Sequence, residues 1–394
     1  MTPIVLLRDR SPASHASSYG HGALARHAIG LHRAGWWIAR AVAAACGLVA
    51  TSVTILAAGA EPFVFADPPA AHPLVGKLYD GRHHLIDAAT GGGPGSPDNP
   101  TLEGTLGRAV GCGTVAVLGE VHDNPIHHRW RAWLLGQWRG RADVPADCNP
   151  RGLAGGGGGA VLEHIRADKQ EALSGFSIAS DEPVASAVDR LLAALGWDSS
   201  GWPKQEAFKP LFAALLDARL PLYAGDPARQ TIRAVSKEGL GVLGEEERRR
   251  LALDQDLAAG QMDALLEQLE DSHCGLMPKS AFGNLALAQR YRDATLADVT
   301  LRAVEAHGSA VLLTGNGHVR ADRGAPWYLR QRAPDMPIVS LAIVEVEDGK
   351  TDPAQYVPRD PTGRAAVDYV LFTPAAERPD PCEEMRKRFK PRQG

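Results

Sequence analysis

Short apolar runs that end in glycine and ionisable residues recur along this 394-residue chain and restrict its fold more than any other feature. The first run, Val115–Leu118, stops at Gly119 and is followed by Glu120 and His122. A run of this length predicts a buried strand, and Pro125 soon afterwards predicts the start of a helix. Because ligands of open α/β sheets bind beyond the carboxyl ends of the strands, this stretch predicts a functional site.

A second run has the same design. Residues 309–314 are mostly apolar, and Asn316 and His318 follow between glycines and arginines. Two further strand-like runs end in Glu163 and Asp226. We therefore expect strands from distant parts of the chain to bring imidazoles and carboxylates to one edge of a sheet.

Strand-like and helical segments alternate along the chain, which predicts an α/β fold with a mostly parallel central sheet and helices on both faces. Residues 76–89 predict a short hairpin, and residues 227–306 predict a helical insertion between strands. This domain is expected to span residues 76–375. The charged, proline-containing residues 376–394 predict a flexible tail.

The first 60 residues predict export. Residues 41–60 contain no charge, follow Arg40 and end in Ala58-Gly59-Ala60, which is typical of a signal peptide with its cleavage site. An uncleaved membrane anchor is the alternative, because twenty apolar residues can span a bilayer. Residues 61–75 predict a linker. The protein is therefore expected to be periplasmic or anchored in the cell envelope.

Charge and cysteine content exclude several classes of protein. The net charge is −4 and no basic block is present, so nucleic acid is not an expected partner. There is no C-x-x-C motif, which argues against a zinc ribbon or a thioredoxin-type site. Cys46 follows three alanines and resembles a weak lipoprotein signal. Four cysteines would remain after export: Cys112, Cys148, Cys274 and Cys382. They allow three complete sets of disulfide pairs, and the sequence does not choose among them.

The predicted strand ends contain the groups that hydrolytic or metal chemistry requires. Glu120, His122, Glu163 and His318 supply two carboxylates and two imidazoles, which suit a divalent metal site of mixed nitrogen and oxygen ligands. The same groups suit general acid–base catalysis without a metal. Glu120 and His122 are two residues apart on a strand end, so both should point to the same side.

Other polar residues near these positions are weaker candidates. Asp123 or Asn124 is expected to cap the helix that starts at Pro125. His127 and His128 lie about 100° apart on a helix, so we expect one to face the site and the other to face solvent. His273 lies at a break in the helical insertion and is either a lid or ligand contact or a turn residue.

The stretch 118–128 resembles the signature of the ChaN family of haem-binding uptake proteins. The resemblance covers about residues 75–375. Further segments agree with that family in the same order: Val161–Glu163, Trp202–Pro210, His273–Pro278, Gln289–Ala297, Gly315–Arg320 and Gly324–Pro326.

The resemblance implies an exported, often lipid-anchored protein of the bacterial envelope that binds haem and is linked to iron uptake. It implies outer-membrane uptake machinery as a partner and a homodimer around stacked haems. The residues expected to contact haem are His122, Asp123, Asn124, His127, His128, His273, Arg290, Tyr291, Asn316, His318 and Arg320.

Haem needs an axial ligand, cations for its propionates and an apolar slot. The resemblance implies a tyrosine ligand; Tyr291 is the first candidate, and Tyr79, Tyr223 and Tyr328 stay open. Arg290, Arg292 and Arg320 are candidates for the propionates. Trp130, Trp133, Trp202 and Trp327 are candidates for the walls of the slot.

The wider superfamily implies an alternative function. It includes Tiki-type metalloproteases, TraB-like proteins and erythromycin esterases, and in the esterases two histidines and a glutamate carry catalysis. The matching positions are His122, Glu163 and His318, with Glu120 orienting a histidine or holding a divalent metal. A hydrolase acting on esters or peptides is therefore the alternative to haem binding.

Overall fold

The computed structural model describes residues 72–80, 85–87, 115–139 and 158–389. The predicted signal segment, most of the predicted linker and the cysteines at 46, 112 and 148 lie outside these residues. Within the described ranges, no helix combines the length and the apolar composition needed to cross a bilayer.

One sheet of eight strands organises the described residues, in the order β2-β1-β8-β7-β3-β6-β4-β5. The strands are β1 (Lys77–Tyr79), β2 (Leu85–Asp87), β3 (Val115–Leu118), β4 (Gly159–Arg166), β5 (Leu222–Asp226), β6 (Ala310–Leu313), β7 (Ile338–Glu345) and β8 (Tyr369–Thr373).

Six neighbouring strands of the sheet are parallel, and the β1–β2 hairpin adds two antiparallel strands at one edge. Strand β3 lies between β7 and β6, and β4 lies between β6 and β5. The mostly parallel sheet predicted from the sequence is confirmed. Because β3, β6, β4 and β5 are consecutive and parallel, their carboxyl ends meet at one edge, which we call the carboxyl edge.

Helices follow the strands, as the alternating sequence pattern predicts. In the described part of the chain they are α1 (Pro125–Arg139), α2 (Gln170–Ser174), α3 (Val184–Leu195), α4 (Gln205–Asp217), α5 (Arg229–Glu238), α6 (Glu245–Arg250), α7 (Ala259–Ser272), α8 (Phe282–His307), α9 (Ala325–Arg332) and α10 (Pro381–Phe389).

Alternating side chains of each strand enter two hydrophobic cores. In β3, Ala116 and Leu118 pack on the first face of the sheet with α1, α3 and α4. Val115 and Val117 pack on the second face with α5, α8 and α9. Each fully buried valine or leucine contributes about 1.5–3 kcal/mol of transfer free energy, so this alternation holds helices on both faces.

The predicted helical insertion is present as α5 to α8, between β5 and β6. The segment after residue 376 differs from the predicted flexible tail, because residues 381–389 form α10 and Cys382 forms a disulfide with Cys274. Arg378 also binds Glu345 and, at 2.8 Å, Asp123. The sequence did not indicate that this segment is attached to the domain, because the segment is charged and lacks apolar periodicity. Its attachment depends on the Cys382 disulfide and the Arg378 ion pairs.

Candidate functional site

The structure brings Glu120, His122, Glu163 and His318 to the carboxyl edge of the sheet, where they form two adjacent clusters. Glu120 is the centre of one cluster, and Glu163 is the centre of the other. Glu163 and His164 are consecutive residues of β4, so their side chains point to opposite faces of the sheet. One strand therefore supplies both clusters.

The Glu120 cluster lies on the first face and is almost closed to solvent. Glu120 Oε1 lies 2.7 Å from His122 Nδ1 and 2.7 Å from His164 Nε2. Its Oε2 accepts a hydrogen bond from Arg131 Nη2. His128 Nε2 donates to the carbonyl oxygen of His122 at 2.9 Å, which leaves its Nδ1 to accept from Arg131.

Burial and charge act in opposite directions in this cluster. Burial alone would raise the pKa of Glu120, but Arg131, His164 and His128 hold that pKa well below its usual range. Burial lowers the pKa of His164 in spite of Glu120, so this imidazole stays neutral. Its Nδ1 has no hydrogen-bond partner among the described residues. Glu120 is therefore a carboxylate whose Oε1 accepts from two imidazoles.

The Glu163 cluster lies toward α8. Both oxygens of Glu163 are engaged: Oε1 binds Arg292 at 2.8 Å and lies 3.2 Å from His318 Nε2. Oε2 accepts from Thr314 Oγ1 and from the backbone amide of Gly315, both at 2.6 Å. Four donors therefore fix this carboxylate, and its pKa is well below the usual range because His318 and Arg292 outweigh the effect of burial.

His318 is held between two carboxylates. Its Nδ1 donates to Asp293 Oδ1 at 2.7 Å, while its Nε2 faces Glu163. Burial would lower the pKa of His318, but Glu163 and Asp293 raise it to about 10. Arg292 extends the network to Asp226 at 2.7 Å. His318 is therefore an imidazolium at neutral pH with both nitrogens engaged.

His122 connects the two clusters. A Cβ atom at Gly315 would lie 2.7 Å from His122 Cε1, so glycine at that position allows the ring to approach the strand end. The His122 side chain is 40% exposed and packs edge-on against Trp202, with ring centroids 4.7 Å apart. Burial lowers the pKa of His122, but the bond to Glu120 and the charge of Glu163 leave it raised overall.

His127 and His128 are both completely buried, so the expectation that one of them faces solvent is wrong. Helix α1 packs against α4, where the Phe208 ring lies 3.8 Å from the His128 ring between centroids. His127 Nδ1 accepts from the Val121 amide at 2.8 Å, and its Nε2 donates to Thr373 Oγ1 at 2.7 Å. Burial lowers the pKa of His127 to about 3, so it is a neutral structural residue.

Three other predicted haem contacts have structural partners. Asn124 caps α1 through the Ile126 amide at 2.9 Å, as the sequence predicts. Asp123 is exposed and pairs with Arg378. Asn316 Nδ2 donates to the carbonyl oxygen of Ile343 at 2.6 Å, which attaches the loop after β6 to strand β7.

The arginines predicted to meet propionates bind oxygens of the protein instead. Arg290 donates to Tyr328 Oη at 3.0 Å. Arg320 binds Asp322 through two hydrogen bonds of 3.0 and 2.9 Å. Arg292 bridges Glu163 and Asp226, as described above. Sequence spacing cannot show this, because it does not identify the internal partner of a buried cation.

Two further candidates lie away from the clusters. Tyr291 is 6% exposed and packs in the second-face core. Two residues along a helix turn by about 200°, so Tyr291 points away from the side on which Asp293 meets His318. His273 ends α7, and its Nδ1 lies 2.7 Å from the carbonyl oxygen of Leu269.

Of the tryptophans predicted to line a slot, Trp202 lies at the site. Its ring is 4.7 Å from His122 and 4.8 Å from His164. Trp130 is fully buried in the first-face core, with Trp133 against it. Trp327 packs on Tyr328 instead.

Sequence reasoning assigned no role in the site to three of its residues: Arg131, His164 and Asp293. Arg131 lies three residues after His128 on α1, and this spacing places them on one face of the helix. His164 directly follows Glu163, which was visible in the sequence. Asp293 lies in the middle of α8 and gave no signal of its own, because a helical sequence does not show which of its carboxylates is buried.

Comparisons with known proteins agree with the fold and identify the family. The family described as haem-binding uptake, Tiki superfamily, ChaN matches residues 111–329. No curated protein sequence matches this chain. The solved structure of Campylobacter jejuni ChaN, which binds haem cofacially, is 17% identical and superposes with a TM-score of 0.51. The alignment covers 75% of this chain and 95% of that one, and at this identity it shows the shared fold alone.

Two other solved structures are more distant. The type III effector HopBA1 is 12% identical, with 70% of this chain and 94% of that chain covered and a TM-score of 0.32. A Bacillus cereus protein is 13% identical, with 62% and 68% covered and a TM-score of 0.27. Since the family match extends over more than half of the sequence, the chain belongs to the ChaN family of haem-binding uptake proteins in the Tiki superfamily.

Proposed function

We propose that this protein binds haem at the carboxyl edge of its sheet and serves haem or iron uptake in the cell envelope. Family membership supports the ligand class. The observation that carries the location is the exposure of His122, while His127, His128, His164 and His318 are buried. The uncharged segment 41–60 supports export.

His122 has the properties that an iron ligand requires. Its Nδ1 bonds to Glu120, which leaves Nε2 as the nitrogen for the metal. A carboxylate on the far nitrogen fixes the ring and increases its basicity, as in many histidine–metal pairs. Trp202 offers an apolar surface beside the ring. Haem iron bound by His122 would supply the spectroscopic signal of the complex.

A hemin titration of the full-length protein tests this proposal. We expect a saturable Soret band, and we expect His122→Ala to weaken binding strongly. His307→Ala is the matched control, because His307 is partly exposed but lies beside Gly159, at the opposite edge of the sheet. Absence of saturable binding would contradict the proposal. Equal binding by wild type and His122→Ala would contradict the location.

The uptake role has two further consequences. Outer-membrane uptake machinery would be the source or recipient of the haem, and a second copy of the chain would cover the exposed side of His122. Size-exclusion chromatography with and without hemin tests the second point. We expect a dimer in the presence of hemin; a monomer at saturating hemin would contradict it.

A hydrolase is the second candidate, because each cluster contains an imidazole oriented by a carboxylate. His318 has both nitrogens engaged, so His122 is the residue that can act as a general base. A panel of ester and peptide substrates tests this reading. If His122→Ala retains hemin binding and abolishes a hydrolytic activity, the hydrolase replaces the haem protein as the primary function.

A further inference from the structure

We propose that Glu120, His122 and His164 form a binding site for a first-row divalent transition metal ion, with zinc as the type ion. The site goes beyond haem binding and does not rest on it. It also differs from the metal site expected from the sequence, because His164 takes the place of Glu163 and His318.

The three side chains already direct one donor atom each to a common point. Their donor atoms lie within 4.8 Å of one another, and Glu120 Oε1 is 2.7 Å from both imidazole nitrogens. Two imidazole nitrogens and one carboxylate oxygen are a common ligand set for zinc. Ligands at about 2.1 Å from a tetrahedral ion lie about 3.4 Å apart, so Glu120 Oε1 and each imidazole nitrogen need to separate by about 0.7 Å.

The surrounding residues hold the donors in this arrangement. Arg131 engages Glu120 Oε2, which directs Oε1 toward the two imidazoles. The rings of His122 and His164 are nearly perpendicular, at 87°, with centroids 6.0 Å apart. Trp202 and Phe208 pack against the His164 ring at 4.8 and 5.0 Å. Such support of ligand orientation is a regular property of protein metal sites.

The Glu163 cluster does not offer an equivalent site. Four donors occupy the two oxygens of Glu163, and two carboxylates occupy the two nitrogens of His318. An ion there would have to displace Arg292, Thr314 or a backbone amide. Glu120 Oε1, by contrast, contacts only its two imidazole neighbours among the described residues.

The charges of the two clusters favour a cation. Four buried carboxyl groups, on Glu120, Glu163, Asp226 and Asp293, face two guanidinium groups, on Arg131 and Arg292, and the imidazolium of His318. One negative charge therefore remains, and a cation at Glu120 would offset it. The His122 side chain, 40% exposed, is the ligand of this site that reaches solvent, and a zinc site with three protein ligands takes water as its fourth ligand.

Cobalt titration of the full-length protein after dialysis against a chelator tests the site, with visible absorbance of the bound ion and elemental analysis of zinc as the readouts. We expect about one equivalent of tightly bound ion per chain. His164→Phe keeps an aromatic ring in the packing but removes the nitrogen ligand. It should weaken cobalt binding by more than about tenfold, which is the smallest loss typical of mutating a residue that only supports a metal ligand. His307→Gln is the control and should bind cobalt normally.

The outcomes separate this site from the alternatives. His122→Ala is the second variant and keeps the test valid if His164→Phe does not fold, because His122 is partly exposed. No binding by the wild type, or unchanged binding by both variants, would overturn the proposal. Loss of binding in Glu163→Gln with full binding in His164→Phe would also overturn it. His164→Phe should still bind hemin. The cobalt and hemin titrations therefore test the metal site and the haem proposal independently, and one can fail without the other.

Discussion

Arg131 and Glu120 form an ion pair in which neither side chain has any exposure to solvent. The pair joins helix α1 to the end of β3 and fixes the carboxylate that orients His122 and His164. Two Arg131 nitrogens, Nε and Nη1, have no hydrogen-bond partner among the described residues. The carboxylate of Glu120 therefore offsets most of the free-energy cost of burying the Arg131 charge.

Glu120→Gln should destabilise the protein by about 3–5 kcal/mol, because it leaves a buried guanidinium without a counter-charge. The free energy of unfolding in urea measures this loss. Glu182→Gln is the control, since Glu182 pairs with Arg190 at the surface and its removal should change stability little. Similar stabilities for the two variants would show that Glu120 does not carry the charge balance of the cluster.

Gly315→Ala should displace His122. The added methyl group would lie 2.7 Å from His122 Cε1, which requires the ring to move away from the strand end. We expect weaker hemin binding, measured by Soret titration. Gly283→Ala is the matched control, because a Cβ at this position of α8 meets nothing within 4 Å. Normal hemin affinity in Gly315→Ala would show that hemin binding does not require the His122 ring in its observed position.

His318 should make stability depend on pH in the alkaline range. Its pKa is about 10 in the folded protein, against 6.5 for a free imidazole. Because the folded value is the higher one, the stabilisation is complete below pH 6.5 and is lost as the pH rises toward 10. His318→Gln should therefore show a smaller loss of unfolding free energy across this range than wild type. Parallel curves for the two proteins would contradict the charge assigned to His318.

The disulfide between Cys274 and Cys382 should stabilise the domain by closing a long loop. The two cysteines are 108 residues apart, and loss of such a bond typically costs about 2–4 kcal/mol. Cys382→Ser should lower the free energy of unfolding by this amount. A reductant should destabilise wild type but have less effect on the variant. Equal sensitivity to reductant in both proteins would argue against this pairing.

The order of strands and helices was accessible from the sequence because it depends on local periodicity. The same is true of the strand ends that carry Glu120, His122, Glu163 and His318, since polar residues after an apolar run mark the end of a strand. A helix cap at Asp123 or Asn124 followed from the adjacent proline, and the structure assigns it to Asn124. These predictions needed no knowledge of which distant segments meet.

The partners of the site residues depend on tertiary packing and were not accessible. The burial of His128 depends on contact with Phe208 of α4, and the burial of His127 depends on contact with Thr373 of β8. The arginines expected to meet propionates, such as Arg290 and Arg320, bind Tyr328 and Asp322, and the sequence did not indicate that these side chains would be their partners. A charged residue in a helix has the same appearance in the sequence whether it faces solvent or an internal partner.

Strand β4 places a carboxylate and an imidazole back to back at consecutive positions. Deleting one residue between Gly159 and Leu162 would rotate the strand by half its period and exchange the two groups between the faces. His164 would then take the position of Glu163 beside Arg292 and His318, and Glu163 would take the position of Leu162 in the first-face core. Both clusters would lose their arrangement of charges at once. A change in the length of this strand therefore cannot affect one cluster without affecting the other.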